Sequence, residues 1–282
     1  MSPDLSFTLM LGLRMAVAAA FVVSASFIAE RTGPVIGALV ATLPVSAGPS
    51  YVFLALDHDS TFIAQGALAS LPINAATIFL SLTYAWLAQR NSLLVSCGAA
   101  LAVWLVLSTI VRMTQWTLLS GLLVNAAAFA ICVPLLERFR HIEKMPLIDR
   151  RWYDIPFRAL LVAMLVATVV TLSGWVGPTV SGITALFPIV FTSLMLILHP
   201  RIGGPATAAV IANGAWGLMG FGLAIAVLHV GALHLGSAIG LSLALSTCIL
   251  WNLALWWNGR RKAAATTSMR AKRSNPETER DG

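Results

Sequence analysis

Residues 14–44 recur, without a gap, as residues 158–188. Seven of the 31 aligned positions are identical at this offset of 144: Arg14/Arg158, Ala19/Ala163, Val22/Val166, Gly33/Gly177, Pro34/Pro178, Ala41/Ala185 and Pro44/Pro188. Matched alanines and valines are common in any apolar sequence. A matched arginine, a matched Gly-Pro and a matched mid-segment proline are not, because each is unfavourable in a lipid-facing helix and needs a reason to be there. A duplicated architecture is therefore the first constraint on the fold.

The medium for that architecture follows from composition. The chain is 58% hydrophobic and 10% charged, whereas an average soluble domain carries about 25% charged residues, so the lipid bilayer is the expected partner. The apolar stretch from Phe7 is long enough to span and has no basic region before it, which is not the pattern of a cleaved signal peptide. A net charge of +7 does not imply nucleic-acid binding here, because the basic residues concentrate in 138–158 and in the tail from Arg260. The positive-inside bias produces such clusters. A polybasic lipid-binding tail (Arg260, Arg261, Lys262, Arg270, Lys272, Arg273) is the alternative. Cys97, Cys132 and Cys248 lie within apolar segments without CxxC spacing, so neither a disulfide framework nor a metal site is expected.

About 20 apolar residues cross a bilayer. Nine such segments are expected: 7–29, 35–56, 62–88, 93–111, 116–136, 157–174, 178–198, 204–229 and 233–257. Turn or charge signals separate them, with His229, Gly231 and His234 marking the last break. With nine spans, Arg31, Arg90, the basic loop, Arg201 and the tail share one side. That places the amino terminus outside and the carboxyl tail in the cytoplasm of a bacterial inner membrane. The two matched segments then cross in opposite directions. The predicted fold is an all-α polytopic protein with two inverted four-helix repeats: 1–115 (spans 1–4) and 157–258 (spans 6–9), joined by span 5 at 116–136. A basic cytoplasmic loop (137–156) and a basic disordered tail (259–282) complete it. Asn74 and Asn213 align in this scheme only with a shift of five residues.

No Asp or Glu falls inside an expected span, which disfavours a carboxylate proton relay. His199, His229 and His234 stand at expected span ends and read as interfacial. Arg14 lies roughly 10 Å into span 1 by the helical rise, and its mate Arg158 stands at the mouth of span 6. They either snorkel to the headgroups or attract an anionic substrate or lipid phosphate. Pro44 and Pro188 each remove a helix hydrogen bond near the middle of a span, and Val45-Ser46-Ala47-Gly48-Pro49-Ser50 deepens the first break. Breaks at equivalent places in two halves point to a transporter site; a packing kink is the plainer account. Pro72 gives span 3 the same character. Small residues crowd spans 3, 7 and 8, the pattern of close helix packing. Asn74, Asn125 and Asn213 need amide partners, either between helices or around a polar site. No phosphate loop, metal spacing or activated nucleophile supports an enzyme, and no cofactor is implied.

The segment Gly33-Pro34-Val35-Ile36-Gly37-Ala38-Leu39-Val40-Ala41-Thr42-Leu43-Pro44, echoed at 177–188, resembles small bacterial GlpM-like inner-membrane proteins. These have about four spans and a Gly-x-x-Ala-x-x-Pro element early in the chain. The resemblance implies two fused copies over spans 1–4 and 6–9, and it brings no defined activity with it. The reading favoured by the residues is a transporter or permeation protein for a small anionic or amphipathic solute. Its site would lie near Pro44, Ser46, Asn74, Thr184, Pro188 and Asn213, with Arg14 and Arg158 as attracting cations. The alternatives are a scaffold or accessory subunit of envelope biogenesis, and a lipid-handling protein. Assembly as a homo-oligomer is compatible with each.

Overall fold

The computed structural model describes residues 3–31, 44–140 and 151–274, with side chains over 5–27, 44–140 and 151–261. Among the described residues ten helices follow in order: α1 (Pro3–Arg31), α2 (Ala47–Asp57), α3 (Ser60–Leu87), α4 (Leu93–Met113), α5 (Leu118–Glu137), α6 (Asp154–Ala185), α7 (Ile189–Ile202), α8 (Gly204–Asn213), α9 (Ala215–Leu235) and α10 (Ser237–Ser274). Among the described residues there is no strand. Among the described residues seven stretches are long and apolar enough to cross a membrane: α1, α3, α4, α5, α6, α8 with α9, and α10. The chain is a polytopic helical membrane protein.

The core is α3. Of its most apolar window 83% is buried, against 11% for α1 and for α10, so α3 runs through the centre and the other two lie at the periphery. Composition explains this placement. Gly66, Ala67, Ala69, Ser70, Ala75 and Ala76 present little bulk, letting α4, α5, α6, α8 and α9 all approach it. At Gly66 the backbone of α6 arrives at Gly182 with no room for a Cβ on the latter. The Ser70 hydroxyl donates to the Gly182 carbonyl at 3.0 Å, while Tyr51 from α2 shares a 2.6 Å hydrogen bond with Ser70.

Helix boundaries keep the 144-residue offset well beyond the matched segments. α3 begins at Ser60 and α8 at Gly204; α4 begins at Leu93 and α10 at Ser237. The local means of starting the helix differ. Asp59 caps α3 by accepting from the Phe62 amide at 2.8 Å, whereas the same place before α8 holds Gly203 at φ +83° with no side-chain cap. Helices at equivalent places also pack on one another: α1 on α6, and α3 on α8 and α9. Ala18, Val22, Val162 and Val166, two pairs at the same offset, share one apolar cluster.

These pairs run antiparallel. The Ala88 carbonyl lies against Gly204, Asn74 donates to the Leu218 carbonyl at 3.0 Å, and His229 donates to the Ala64 carbonyl at 2.7 Å. Residue numbers fall along α3 as they rise through α8 and α9. For α1 and α6 the witness is the end of α2: Asp57 binds Arg14, and the adjoining His58 binds Ser173 at 2.9 Å.

Several boundaries depart from expectation. Span 2 is represented by α2 alone, since residues 32–43, including Gly33, Pro34 and Ala41, lie outside the described residues. Spans 6 and 7 meet at Gly177, whose φ of +75° and ψ of 179° suit glycine alone. Span 7 is not one helix but two pieces, 178–185 and α7, parted at Leu186–Pro188. The break expected at 229–234 falls instead at Gly236, φ +88°. His229 and Gly231 stay helical because His229 is bonded to α3 and Gly231 lies against Gly240 of α10. The expected disordered tail is helical through Ser274, in keeping with the helix preference of its Ala, Arg, Lys and Met residues.

Candidate functional site

Pro44 and Pro188 sit at the starts of two short helices, α2 and α7, not in the middle of long ones. Pro44 precedes the turn into α2, and Pro188 is the residue before α7, with φ −76° and ψ 53°. Each contributes the first acceptor of its helix: Gly48 N–H donates to the Pro44 carbonyl at 2.8 Å and Thr192 N–H to the Pro188 carbonyl at 2.9 Å. Both partners of these bonds are 144 residues apart. Neither α2 nor α7 has a side-chain cap at its N-terminus. Among the described residues nothing accepts from the Val190 and Phe191 amides at the start of α7.

The two breaks line one half-open cavity of about 190 Å³, well above the space a single water needs. From the first half come Pro44, Val45, Ser46, Ala47, Asn74 and Thr77; from the second come 186–191, Leu194, and residues of α8 and α9 including Leu218 and Phe221. Its walls are mainly apolar. No carboxylate and no basic residue is among its described lining residues.

Asn74 is one of the polar residues of the lining, with Ser46 and Thr77. It is 1% exposed. Its amide nitrogen donates to the Leu218 carbonyl at 3.0 Å, which settles which end of the amide is the donor, and lies 3.4 Å from the Asn125 Oδ1. Asn125 in turn donates to the Leu71 carbonyl at 2.9 Å. Gly222 makes room for this pair, since a Cβ there would stand 2.8 Å from the Asn74 nitrogen. The Asn74 Oδ1 has no hydrogen-bond partner among the described residues. Leaving such an acceptor buried and unpaired costs about 1–3 kcal/mol, so this position is held at a cost to stability. Thr77 beside it donates to the Ile73 carbonyl and accepts from the Trp104 indole at 3.2 Å.

A second space adjoins the first. A half-open groove of about 390 Å³ lies between α1, α2, α9 and α10 and shares Pro44, Ala47 and Phe221 with the cavity. Nearly all of its lining is apolar, and Val17, Phe21, Val52 and Leu245 on its rim are exposed. The equivalent space in the other half is occupied. Where the groove has Leu228 and Cys248, the positions 144 earlier carry Tyr84 and Trp104, both buried, with Trp104 against Phe187 at 5.3 Å.

Of the residues singled out from sequence, the structure brings Pro44, Ser46, Asn74 and Pro188 to the cavity. It places four elsewhere. Arg14 is engaged by Asp57 through both guanidinium nitrogens, Nη2 to Oδ1 at 2.6 Å. Arg158 stands on α6 one turn beyond Asp154, outside the lining, and Asp154 holds Arg201 at 2.6 and 2.7 Å. Arg201 occupies the position 144 after Asp57, so both halves tie the end of the short helix to the first long helix by an ion pair, with the charges exchanged. Thr184 folds back onto the Val180 carbonyl at 2.8 Å. Asn213 is exposed at the end of α8, accepting from Arg140 at 3.0 Å. The five-residue shift that paired it with Asn74 is therefore not needed: Asn74 meets Leu218, its partner in the unshifted register. Sequence does not single out Leu218, Phe187, Phe191 and Phe221, because apolar residues in a span carry no individual signal, nor Thr77, because a threonine bonded to its own helix is common in a span. Extending the offset through α3 would have found Leu218.

His199 bonds Tyr84 at 2.7 Å, and no group of three or more His, Cys, Asp or Glu suited to a metal occurs among the described residues. No family model matches this chain, and neither a curated protein nor a solved structure is significantly similar to it.

Proposed function

We propose that this protein is a membrane transporter or permeation protein for a small solute, bound where two inverted four-helix repeats meet. The observation that carries the reading is the cavity between the two interrupted segments, with a buried Asn74 carbonyl left without a partner beside it. A scaffold would gain nothing from such a gap. A well-packed Ala/Leu interface would be more stable, since voids and unpaired polar atoms both destabilise. The repeats are supported by helix starts that recur at one offset and by the antiparallel packing of equivalent helices about Asn74 and Leu218. In such repeats, freed backbone groups at membrane depth replace water around a solute, and rocking of one half on the other exposes it alternately. The adjoining apolar groove favours a solute with a substantial apolar part over a compact hydrophilic one.

Water access tests the reading without knowledge of the solute. Cysteine is introduced as Leu194→Cys in a chain whose Cys97, Cys132 and Cys248 are replaced by Ala. A membrane-impermeant methanethiosulfonate reagent should label it in the folded protein. Protection of Leu194→Cys comparable to a cysteine at fully buried Ile78 would reject transport through this cavity and leave the scaffold reading ahead.

A further inference from the structure

From its size, its missing side chains and its polarity, we infer that the groove between α1, α2, α9 and α10 holds the acyl chain of a single-chain amphiphile. A fatty acid or a lysophospholipid, drawn sideways from the bilayer, is the class meant.

Size comes first. A volume of about 390 Å³ takes roughly a dozen methylene-sized groups, at about 30 Å³ each, the share of a water in the liquid. That suits one chain of about twelve carbons and not the pair carried by a diacyl lipid. The groove is also long. Its wall follows α9 from Phe221 to Leu228 and α10 from Leu241 to Cys248, roughly 10 Å on each by the helical rise.

The space is set by side chains and is not demanded by the fold. At four pairs of positions 144 residues apart, the groove wall carries the smaller residue: Ala47 for Phe191, Ala224 for Leu80, Leu228 for Tyr84 and Cys248 for Trp104. In the other half Leu80, Tyr84 and Trp104 are buried and close the equivalent space. A void left empty would destabilise the protein. This one opens between α1 and α10, the least buried of the described spans. Hydrocarbon from the membrane can fill it there, and water gains nothing by doing so.

Polarity gives the chain its direction. Pro44 and Phe221 mark the inner end, next to the central cavity. At the other end the Arg14 guanidinium stands over the Phe53 ring, 5.8 Å from its centroid, and Arg14 is bound to Asp57. A headgroup therefore meets a charged pair while its tail points towards the cavity. That such an amphiphile is also the transported solute rests on the transport reading; occupancy of the groove does not.

The probe is dodecanoic acid with an alkyl diazirine at its terminal carbon, added to the unmodified chain in phosphatidylcholine liposomes. Adducts formed on irradiation are located by mass spectrometry. They should fall on Ala224 or Cys248, which are 2% and 3% exposed and out of reach of bulk lipid, as well as on exposed residues such as Leu250. An excess of about tenfold of dodecanoate or lauroyl lysophosphatidylcholine should cut the groove adduct to about a tenth, the expectation for one shared site. The Leu250 adduct should not change. Leu228→Tyr with Cys248→Trp, which gives the groove side chains of its closed counterpart, should abolish the Ala224 adduct. Competition in the unmodified chain decides the matter if that variant does not fold. Absence of adducts at both Ala224 and Cys248 would mean that residues 32–43 or a second copy cover the groove, and would overturn the inference. A groove adduct that single-chain competitors leave untouched would also overturn it, because any bilayer tail would then serve. Neither result touches the transport reading, which stands or falls on Leu194→Cys.

Discussion

Gly182 shows how much a single residue can decide in this molecule. It lies just past the Gly177 break, in the stretch that crosses α3 at Gly66, and its carbonyl is held by Ser70. A Cβ at this place would run into the Gly66 carbonyl, carbonyl carbon and Cα. Backbone cannot move aside as a flexible side chain can. Gly182→Ala should therefore destabilise the protein by about 1–3 kcal/mol, read as a lower unfolding temperature in detergent. Gly98 on α4 has open space around it, so Gly98→Ala should be neutral or slightly stabilising, as expected of glycine replaced in a helix. A similar fall for both variants would show that the Gly182 contact is not tight. Arg14 is the other instructive residue. Sequence left it between snorkelling and binding an anion; its bond to Asp57 neutralises it and ties α1 to the end of α2.

At the scale of the element, the two short helices matter most. α7 exists as a separate piece because Pro188 has no N–H to continue the helix from 178–185, and because proline disfavours helical geometry in the preceding Phe187. The chain turns instead through Leu186–Pro188, with the Phe187 amide on the Thr184 carbonyl at 3.0 Å. Pro188→Ala removes both obstacles. The 178–185 stretch and α7 should then join into one helix whose start no longer faces the cavity. Labelling of Leu194→Cys by the membrane-impermeant methanethiosulfonate reagent should fall, because the joined helix closes the break that lines the cavity, and solute flux in proteoliposomes should fall with it. The unfolding temperature should hold or rise, because the helix regains a bond. Pro44→Ala should act likewise at α2. Unchanged labelling in both variants would reduce the prolines to packing kinks.

For the whole molecule, the decisive relation is the antiparallel packing of helices 144 residues apart. α3 lies along α8 and α9 with Asn74 on Leu218 near the centre, and α5 braces the pair through Asn125 and through Gly121 against Leu71. If the halves are inverted across the membrane, the ends of α2 and α7 emerge on opposite faces. Reporter fusions at Asp59 and Arg201 should then report opposite sides, Asp59 outside and Arg201 cytoplasmic, as the distribution of Lys and Arg predicts. Both reporters on one side would exclude the inverted arrangement.

The amino-acid sequence by itself determined the medium, the helical class and the offset of 144 residues. Hydropathy and the cost of unpaired backbone in lipid leave few other folds, and Pro and Gly mark breaks through local geometry alone. Ser46, Pro44, Pro188 and Asn74 could be singled out for the same reason: each is unfavourable in an apolar helix. Tertiary structure decided the rest. Whether Arg14 meets an anion or Asp57, whether Asn74 sits beside Asn213 or Leu218, and whether a proline bends a helix or starts one depend on neighbours distant in sequence. The closure of one lateral space by Trp104 and Tyr84, with its counterpart left open beside Cys248 and Leu228, is of the same kind. Apolar side chains in a membrane helix look alike until packing assigns each a partner.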